Sequence, residues 1–154
     1  MTGHPNVLKV LNSLLADELT AINQYMVHSE MCSNWNYDTL HKAIEKRAVE
    51  EMHHAESLIA RILFLEGSPT VSKLNAITIG KTVKEMIASD SEAERGAVKA
   101  YNDGIGIAVD VADNGTRELL EKTLKDEEAH IDWLEAQADQ IAQMGLENYL
   151  ANQA

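Results

Sequence analysis

The sequence predicts an all-α protein, a four-helix bundle with one long crossover between helices 2 and 3 and a short fifth helix at the C-terminus. Apolar residues recur at steps of three and four in four long blocks, the periodicity of helices that bury one face. The composition is 45% hydrophobic and 25% charged, with two prolines. Residues 68–81 lack the helical period. We expect a single domain over 1–154, with the bundle over about 5–144 and the last helix over about 146–152.

The first two blocks form the first predicted hairpin. Block one runs from about residue 5 to 35, and Pro5 suits a first helical turn because its missing N–H would have no partner there. Asp38 or Thr39 can cap the second block, since a short polar side chain accepts the free N–H groups of a first turn. Gly67, with a proline two residues later, is predicted to end it.

The crossover and the start of the third helix follow. Residues 68–81 are predicted to be an extended segment whose apolar side chains pack on another surface. Thr82 and Glu85 then have the spacing of a capping box, in which hydroxyl and carboxylate each satisfy a free backbone N–H. The apolar stripe that begins there continues to Val111, so the third helix is expected over that range.

The fourth helix is predicted to follow a short turn. Asn114 and Gly115 are expected to close the third helix, Thr116 to cap the fourth and Gly145 to end it. Each main helix then has roughly 28 to 32 residues, or about 40 to 48 Å at 1.5 Å per residue. Because only the middle connection can run the length of the bundle, one crossover is expected.

Six acidic and imidazole side chains fall on the helical stripes that should face the core. They are Glu18, Glu51, His54, Glu94, Glu127 and His130. Two Glu-x-x-His pairs are among them, and one helix presents such a pair from one face, one turn apart. A single pair of this kind is usually a surface pair. Burying a lone carboxylate costs several kcal/mol, and Arg47, the basic residue on these stripes, cannot balance four glutamates. The pattern therefore predicts bound cations.

An internal repeat supports this prediction, because a shift of 76 positions superimposes one half of the candidate ligand set on the other. The residue pairs that the shift relates are Glu18 and Glu94, Glu51 and Glu127, His54 and His130, Tyr25 and Tyr101, Ile22 and Val98, and Leu58 and Leu134. Two pseudo-symmetric hairpins would bring matching half-sites face to face. Four carboxylates balance the charge of two divalent cations, and mixed carboxylate and imidazole ligands without thiolates suit iron or manganese rather than structural zinc.

Charge and composition exclude several classes of function. The formal net charge is −12 at pH 7, which argues against binding nucleic acid or an anionic membrane surface. The single Cys32 cannot form an internal disulfide, which favours a reducing compartment. Polar residues interrupt the N-terminal apolar residues, unlike a signal peptide, and no segment is apolar enough to span a bilayer. A cytoplasmic location is expected.

At these residues the chain resembles a bacterioferritin, a member of the ferritin-like di-iron carboxylate family. The resemblance covers essentially the whole chain. The segments that carry it are Asn-Gln-Tyr at 23–25, Arg-Ile-Leu-Phe-Leu-Glu-Gly at 61–67, Asp-Glu-Glu-Ala-His-Ile-Asp-Trp-Leu-Glu at 126–135 and Gly-Leu-Glu-Asn-Tyr-Leu at 145–150. It implies a ferroxidase that oxidises Fe(II) with O₂ or peroxide and stores ferric mineral in a hollow shell of 24 subunits, built from dimers. A ferredoxin-like reductant is the implied partner for iron release.

The resemblance also implies a role for each ligand. Glu51 and Glu127 would bridge the two irons of a non-haem di-iron centre. One iron would be held in addition by Glu18 and His54, and the other by Glu94 and His130.

Haem b is the second cofactor that the resemblance implies, held between two subunits with Met52 of each as an axial ligand. Periodicity alone is equally consistent with an ordinary interface methionine. The first-helix residues that would line the haem pocket are Leu19, Ile22, Asn23 and Met26. Family members often have aromatic residues at the positions of Met26 and Glu45, which puts haem binding in question.

Other departures from the family pattern concern iron handling. Lys46 and Glu50 replace a histidine and an aspartate that form an accessory iron site on the inner wall, so that site is not expected here. Leu58 replaces a tyrosine found in some members. Tyr25 and Trp133 remain as candidate one-electron donors, with aromatic packing as the alternative for Trp133.

Four alternatives to an iron-storing bacterioferritin follow from the same residues. A haem-free ferritin-type ferroxidase would share the di-iron centre. A di-iron peroxidase or oxygenase needs a reductant, often a cysteine-rich module that one cysteine cannot form. A DNA-protecting mini-ferritin places its site between subunits and often has a basic tail. A purely structural bundle would leave the core carboxylates without counter-charge.

Overall fold

The computed structural model describes all 154 residues and contains five helices and no strand. The helices are α1 (Pro5–Asn34), α2 (Asp38–Phe64), α3 (Val83–Asp110), α4 (Asn114–Met144) and α5 (Leu146–Ala151). Short turns join α1 to α2 and α3 to α4, whereas the long crossover joins α2 to α3. The predicted all-α bundle with one crossover and a short C-terminal helix is confirmed.

The two hairpins pack through α1 on α2 and α3 on α4, and α1 also lies against α3. The apolar core is divided into two clusters. One lies near the start of α1 and includes Leu58 and Leu120, and the other lies towards its end and includes Leu40 and Met86. The polar residues that the sequence placed in the core lie between these clusters, with apolar packing on both sides.

The predicted starts of α1 and α3 are confirmed. Pro5 is the first residue of α1, and the His4 side chain accepts the N–H of Asn6 at 3.1 Å. Thr82 caps α3 by accepting the N–H of Glu85 at 3.3 Å. The Glu85 carboxylate reaches back to the N–H of Lys81, at 2.7 Å, rather than to that of the cap itself.

The predicted caps of α2 and α4 are wrong by a few residues. Asp38 is already helical, and the preceding residue makes no side-chain cap. Asn114 begins α4 instead of closing α3, and the cap is Asp113, whose Oδ1 accepts the N–H of Thr116 at 3.0 Å. The physical reason is the left-handed Ala112, at φ +56°, which reverses the chain within three residues without using a glycine.

At the end of α2, too, a residue other than glycine takes the left-handed conformation. The helix ends at Phe64, and Glu66 rather than Gly67 takes the left-handed conformation, at φ +60°. Gly67 is needed for a different reason, because a Cβ there would lie 2.5 Å from a methyl carbon of Leu8 on α1. The glycine permits close packing rather than the turn.

The crossover lies along α1 and is held to it by side chains of that helix. Thr20 Oγ1 accepts the N–H of Asn75 at 2.9 Å, and the buried His28 accepts the N–H of Gly80 through Nε2, also at 2.9 Å. Through Nδ1, His28 contacts Asp90 of α3 at 2.9 Å. The apolar side chains of the crossover are exposed on the outer surface of the single chain. They are Val71, Leu74, Ile77 and Ile79.

None of the five helices is both long and apolar enough to cross a lipid bilayer.

Candidate metal centre

The six predicted ligands converge at one level of the bundle. Two overlapping groups of four have ligand atoms that all lie within 4.8 Å of one another. The first group is Glu18, Glu51, His54 and Glu127, and the second is Glu51, Glu94, Glu127 and His130. Every member is buried. Because Glu51 and Glu127 belong to both groups, the arrangement provides two metal positions that share two carboxylates.

Each helix contributes according to its spacing. One glutamate comes from α1 and one from α3, whereas α2 and α4 each supply a Glu-x-x-His pair. His54 Nδ1 lies 2.9 Å from Glu51 Oε2 and 3.0 Å from Glu127 Oε1. His130 Nδ1 lies 3.1 Å from Glu51 Oε1 and 3.4 Å from Glu94 Oε1. Both imidazoles therefore direct Nδ1 towards the shared carboxylates.

Two further carboxylates hold the outer nitrogens of these imidazoles. His54 Nε2 lies 2.9 Å from Asp126 Oδ2, and His130 Nε2 lies 2.6 Å from Glu50 Oε2. The contacts are crossed, since each carboxylate is on the hairpin opposite to its histidine. A hydrogen bond from Nε2–H leaves the lone pair of Nδ1 free for a metal and fixes the plane of the ring.

Sequence reasoning missed both of these carboxylates. In the sequence, Glu50 only replaces a family ligand of the accessory iron site, and Asp126 only belongs to a family motif. A signal was available, because the 76-residue shift that relates the ligands also relates Glu50 to Asp126, and each directly precedes a shared glutamate.

Two buried tyrosines complete the pseudo-symmetric set. Tyr25 on α1 donates a hydrogen bond from its hydroxyl to Glu94 Oε1, and Tyr101 on α3 donates one to Glu18 Oε1, both at 2.5 Å. Burial and the neighbouring carboxylates raise the pKa of each phenol well above its usual value. Both tyrosines therefore stay protonated. They orient Glu94 and Glu18, each of which belongs to only one of the two ligand groups.

The electrostatics of the centre favour cations. Burial, and then the charge of Glu51, raises the pKa of Glu18 well above its usual value. Burial alone would lower the pKa of His130, but the nearby carboxylates of Glu127, Glu51 and Glu94 outweigh it and raise that pKa to about 11. The pKa of His54 is raised for the same reason, with Glu127 as the first carboxylate partner. The carboxylates of the centre therefore favour positive charge beside them, whether as protons on the imidazoles or as bound cations.

The donor set fits a pair of divalent metal ions. Buried atoms without a hydrogen-bond partner are concentrated here: Glu51 Oε1, Glu94 Oε2, Glu127 Oε1 and His130 Nδ1. An unsatisfied buried polar atom is costly, and coordination of a cation would satisfy all four. Carboxylate oxygens with imidazole nitrogens and no thiolate suit iron or manganese.

A cavity of about 250 Å³ leads to the centre between α1 and α3. Its inner wall includes four ligand carboxylates, and its outer wall includes the exposed Asn75 of the crossover and Glu92 of α3. Asp17 also lines it. The path from the surface to the metal positions is thus lined by acidic groups.

The remaining predicted residues lie outside the centre. Met52 is 43% exposed on the outer face of α2. Lys46 is exposed, with its ammonium 3.8 Å from Glu50. Trp133 is half-buried, and its ring packs against the guanidinium of Arg47 at 5.6 Å. Leu58 is buried in the first apolar cluster.

Comparisons with known proteins identify the family of the chain. The model of the ferritin-like domain matches residues 8–144. A bacterial ferritin of Pseudomonas aeruginosa is 42% identical over 99% of this chain and 99% of that protein. A bacterioferritin of Brucella melitensis is 40% identical over 97% of this chain and 92% of that protein, and one of Mycobacterium leprae is 39% identical over 98% and 95%. The chain therefore belongs to the ferritin-like family, among its bacterioferritins.

Proposed function

We propose that this protein oxidises Fe(II) at the six-residue centre and stores the product as a ferric mineral in a hollow shell of 24 subunits. The observation that carries the proposal is the pair of overlapping ligand groups, which share Glu51 and Glu127. Such sharing holds two iron ions close together inside one chain. The similarity to bacterioferritins over nearly the whole chain supports iron storage as the purpose of the reaction.

Two adjacent iron ions allow a two-electron reaction. Two Fe(II) ions lose one electron each, and O₂ takes both electrons with two protons to give hydrogen peroxide. With peroxide as the oxidant, two electrons and two protons give two waters. A free one-electron oxygen species is avoided in either case. The substrate iron is held by Glu18, Glu51 and His54 on one side and by Glu94, Glu127 and His130 on the other.

The chain's own groups manage the protons of this reaction. Iron binding must displace the protons from Nδ1 of His54 and His130, because a nitrogen that binds a metal cannot also carry a proton. Asp126 and Glu50 keep the Nε2 protons in place during this exchange. Tyr25 and Tyr101 each donate a hydrogen bond to one terminal carboxylate, Glu94 and Glu18 respectively, and keep it oriented while the protons move.

Haem b is proposed as a second cofactor, held by Met52 and its symmetry mate in a dimer. The exposed thioether would fit that role, since a residue that shares a haem with its symmetry mate would have to face the partner subunit. When bound, haem would supply one-electron transfer. A haem-free ferritin-type ferroxidase is the alternative. A Soret band that is lost in Met52→Leu would support haem binding, and purified wild-type protein without one would favour the alternative.

The ligand set favours these functions over a DNA-protecting mini-ferritin, because all six residues come from one chain. A ferredoxin-like protein is proposed as the reductant that releases stored iron. The chain's formal charge of −12 would make an assembled shell strongly acidic, consistent with uptake of cations.

The decisive experiment is stopped-flow oxidation of Fe(II) by protein whose size is measured by light scattering. Wild type should bind two irons per chain and show a fast phase, with O₂ and peroxide compared as oxidants. Glu18→Ala and His130→Ala should abolish the fast phase. Glu128→Gln on the exposed face of α4 is the matched control. A fast phase that survives both ligand substitutions would refute the assignment of the centre.

A further inference from the structure

The two halves of the metal centre are related by the internal repeat in every ligand, but they differ in one buried cation. Arg47 on α2 corresponds to Thr123 on α4. The Arg47 side chain is 13% exposed, and its Nη1 lies 3.8 Å from Glu94 Oε1. Thr123 is buried and donates its hydroxyl to its own helix, at Leu119 O. One half of the centre therefore contains a fixed positive charge that the other half lacks.

Every contact of Arg47 lies on the side of Glu94 and His130. Its Nε is 3.8 Å from Glu50 Oε2, the carboxylate that holds His130, and Nε is buried without a hydrogen bond. On the other side, Glu18 and Asp126 each form an ion pair with His54 alone. The exposed Lys46 does not create the difference, because the repeat places the exposed Lys122 in the equivalent position.

The position of the guanidinium is fixed by a second departure from the repeat. Arg47 lies over the ring of Trp133 at 5.6 Å from its centroid, and the residue equivalent to Trp133 is the exposed Ser57. An arginine that stacks on an aromatic face keeps its charge and loses side-chain freedom. The charge therefore stays beside Glu94 when a metal ion approaches.

We propose that Arg47 makes the two metal positions unequal, so that the first divalent ion enters the position of Glu18 and His54. A cation at the position of Glu94 and His130 must compete with Arg47 for Glu94 and is repelled by its charge, which little water screens in this buried site. The inference rests on the proposed function, since it concerns the filling order of the same centre. Arg47 is a residue that determines metal affinity, not a ligand.

Anaerobic titration with Co(II), followed by its visible absorption and by calorimetry, tests this in the assembled protein without any oxidation. Compared with wild type, the first equivalent of Co(II) should bind with unchanged affinity in His130→Ala. In His54→Ala it should bind at least about tenfold more weakly, a difference of about 1.4 kcal/mol. In an Arg47→Thr background the two histidine variants should bind alike. Arg47→Lys should keep the preference, and the exposed Lys99→Thr should not alter it.

Crystals of the intact protein loaded with one equivalent of Co(II) provide a measurement that needs no variant. Anomalous scattering should place the ion between Glu18 and His54. Equal occupancy of both positions, or a preference that survives Arg47→Thr, would overturn the inference while leaving the metal centre intact. Failure of wild-type protein to bind Co(II) at all would overturn the proposed function together with the inference.

Discussion

Replacing Asp126 should lower the metal affinity of the position that contains His54, although no ligand is substituted. Asp126 Oδ2 is 2.9 Å from His54 Nε2 and forms no other ion pair. Its side chain is 55% exposed, so solvent already screens part of the interaction. Loss of such a partner typically lowers metal affinity about 10- to 100-fold, and the exposure places Asp126→Ala near the lower limit.

The amide variant separates charge from geometry. Asp126→Asn keeps an oxygen that can accept Nε2–H, so it should lose less affinity than Asp126→Ala. On the opposite hairpin, Glu50→Ala should lose more than Asp126→Ala, because the contact of Glu50 with His130 is shorter, 2.6 Å, and its side chain is only 37% exposed. The same order is expected for the rate of the fast phase of Fe(II) oxidation.

The assay is anaerobic Co(II) titration with stopped-flow oxidation on the same preparations, with the exposed Glu128→Gln as control. Circular dichroism should show unchanged helix content in every variant. The reasoning fails if Asp126→Ala binds both Co(II) equivalents with an affinity within about twofold of wild type, since that change is well below the range usual for such partners. The imidazole would then need no outer carboxylate.

Three further predictions concern stability and reactivity. Gly80→Ala should destabilise the protein by about 1–3 kcal/mol in thermal denaturation, because its Cβ would lie 2.3 Å from a backbone nitrogen of α3; Gly96→Ala, where a Cβ meets nothing, should be neutral or stabilising. Asp113→Asn should cost about 1–2 kcal/mol near neutral pH by breaking the 2.7 Å ion pair with Arg61. Burial alone would raise the pKa of Asp113, but its hydrogen bonds lower that pKa below 3.8. The difference in unfolding free energy between wild type and Asp113→Asn should therefore persist above pH 3.8 and vanish as the pH falls through the pKa of folded Asp113. A difference that stays constant into strong acid would contradict this. Cys32 is fully buried, and burial followed by the charge of Asp90 raises its pKa to about 11, so a thiol reagent at pH 8 should label it only in denaturant.

The helices and the convergence of the six candidate ligands could be predicted because both depend on local spacing. The step of three or four fixes which side chains share a face, so Glu51 and His54 had to point the same way. The turns could not be predicted equally well. Ala112 and Glu66 adopt left-handed conformations that the sequence gives no reason to expect, and Gly67 serves packing against a residue almost sixty positions away. Contacts of that kind depend on tertiary structure, which periodicity does not encode.

The contacts around the ligands were unpredictable for a related reason. Glu50 lies about 100° from the stripe that faces the core, and only the separation between α2 and α4 decides whether its carboxylate reaches His130. A long side chain at the edge of a buried face can point either way. The internal repeat was the available guide, because it marks Glu50 and Asp126 as equivalent and so suggests one shared role.

The two halves of the internal repeat differ on the outside of the bundle, and this difference is also informative. The first hairpin exposes large apolar side chains at positions where the second has polar or charged ones. The equivalent pairs are Met26 and Asn102, Val27 and Asp103, Val49 and Lys125, and Met52 and Glu128. The four apolar members are 43–51% exposed in the single chain. This apolar face of the first hairpin favours pairing of that hairpin with a second copy, which would bring two Met52 thioethers towards a common axis, as the proposed haem requires. Two metal ions would require a nearly symmetric interior, whereas assembly requires an exterior that is not symmetric. Arg47, stacked on Trp133, carries a difference between the two hairpins into the metal centre.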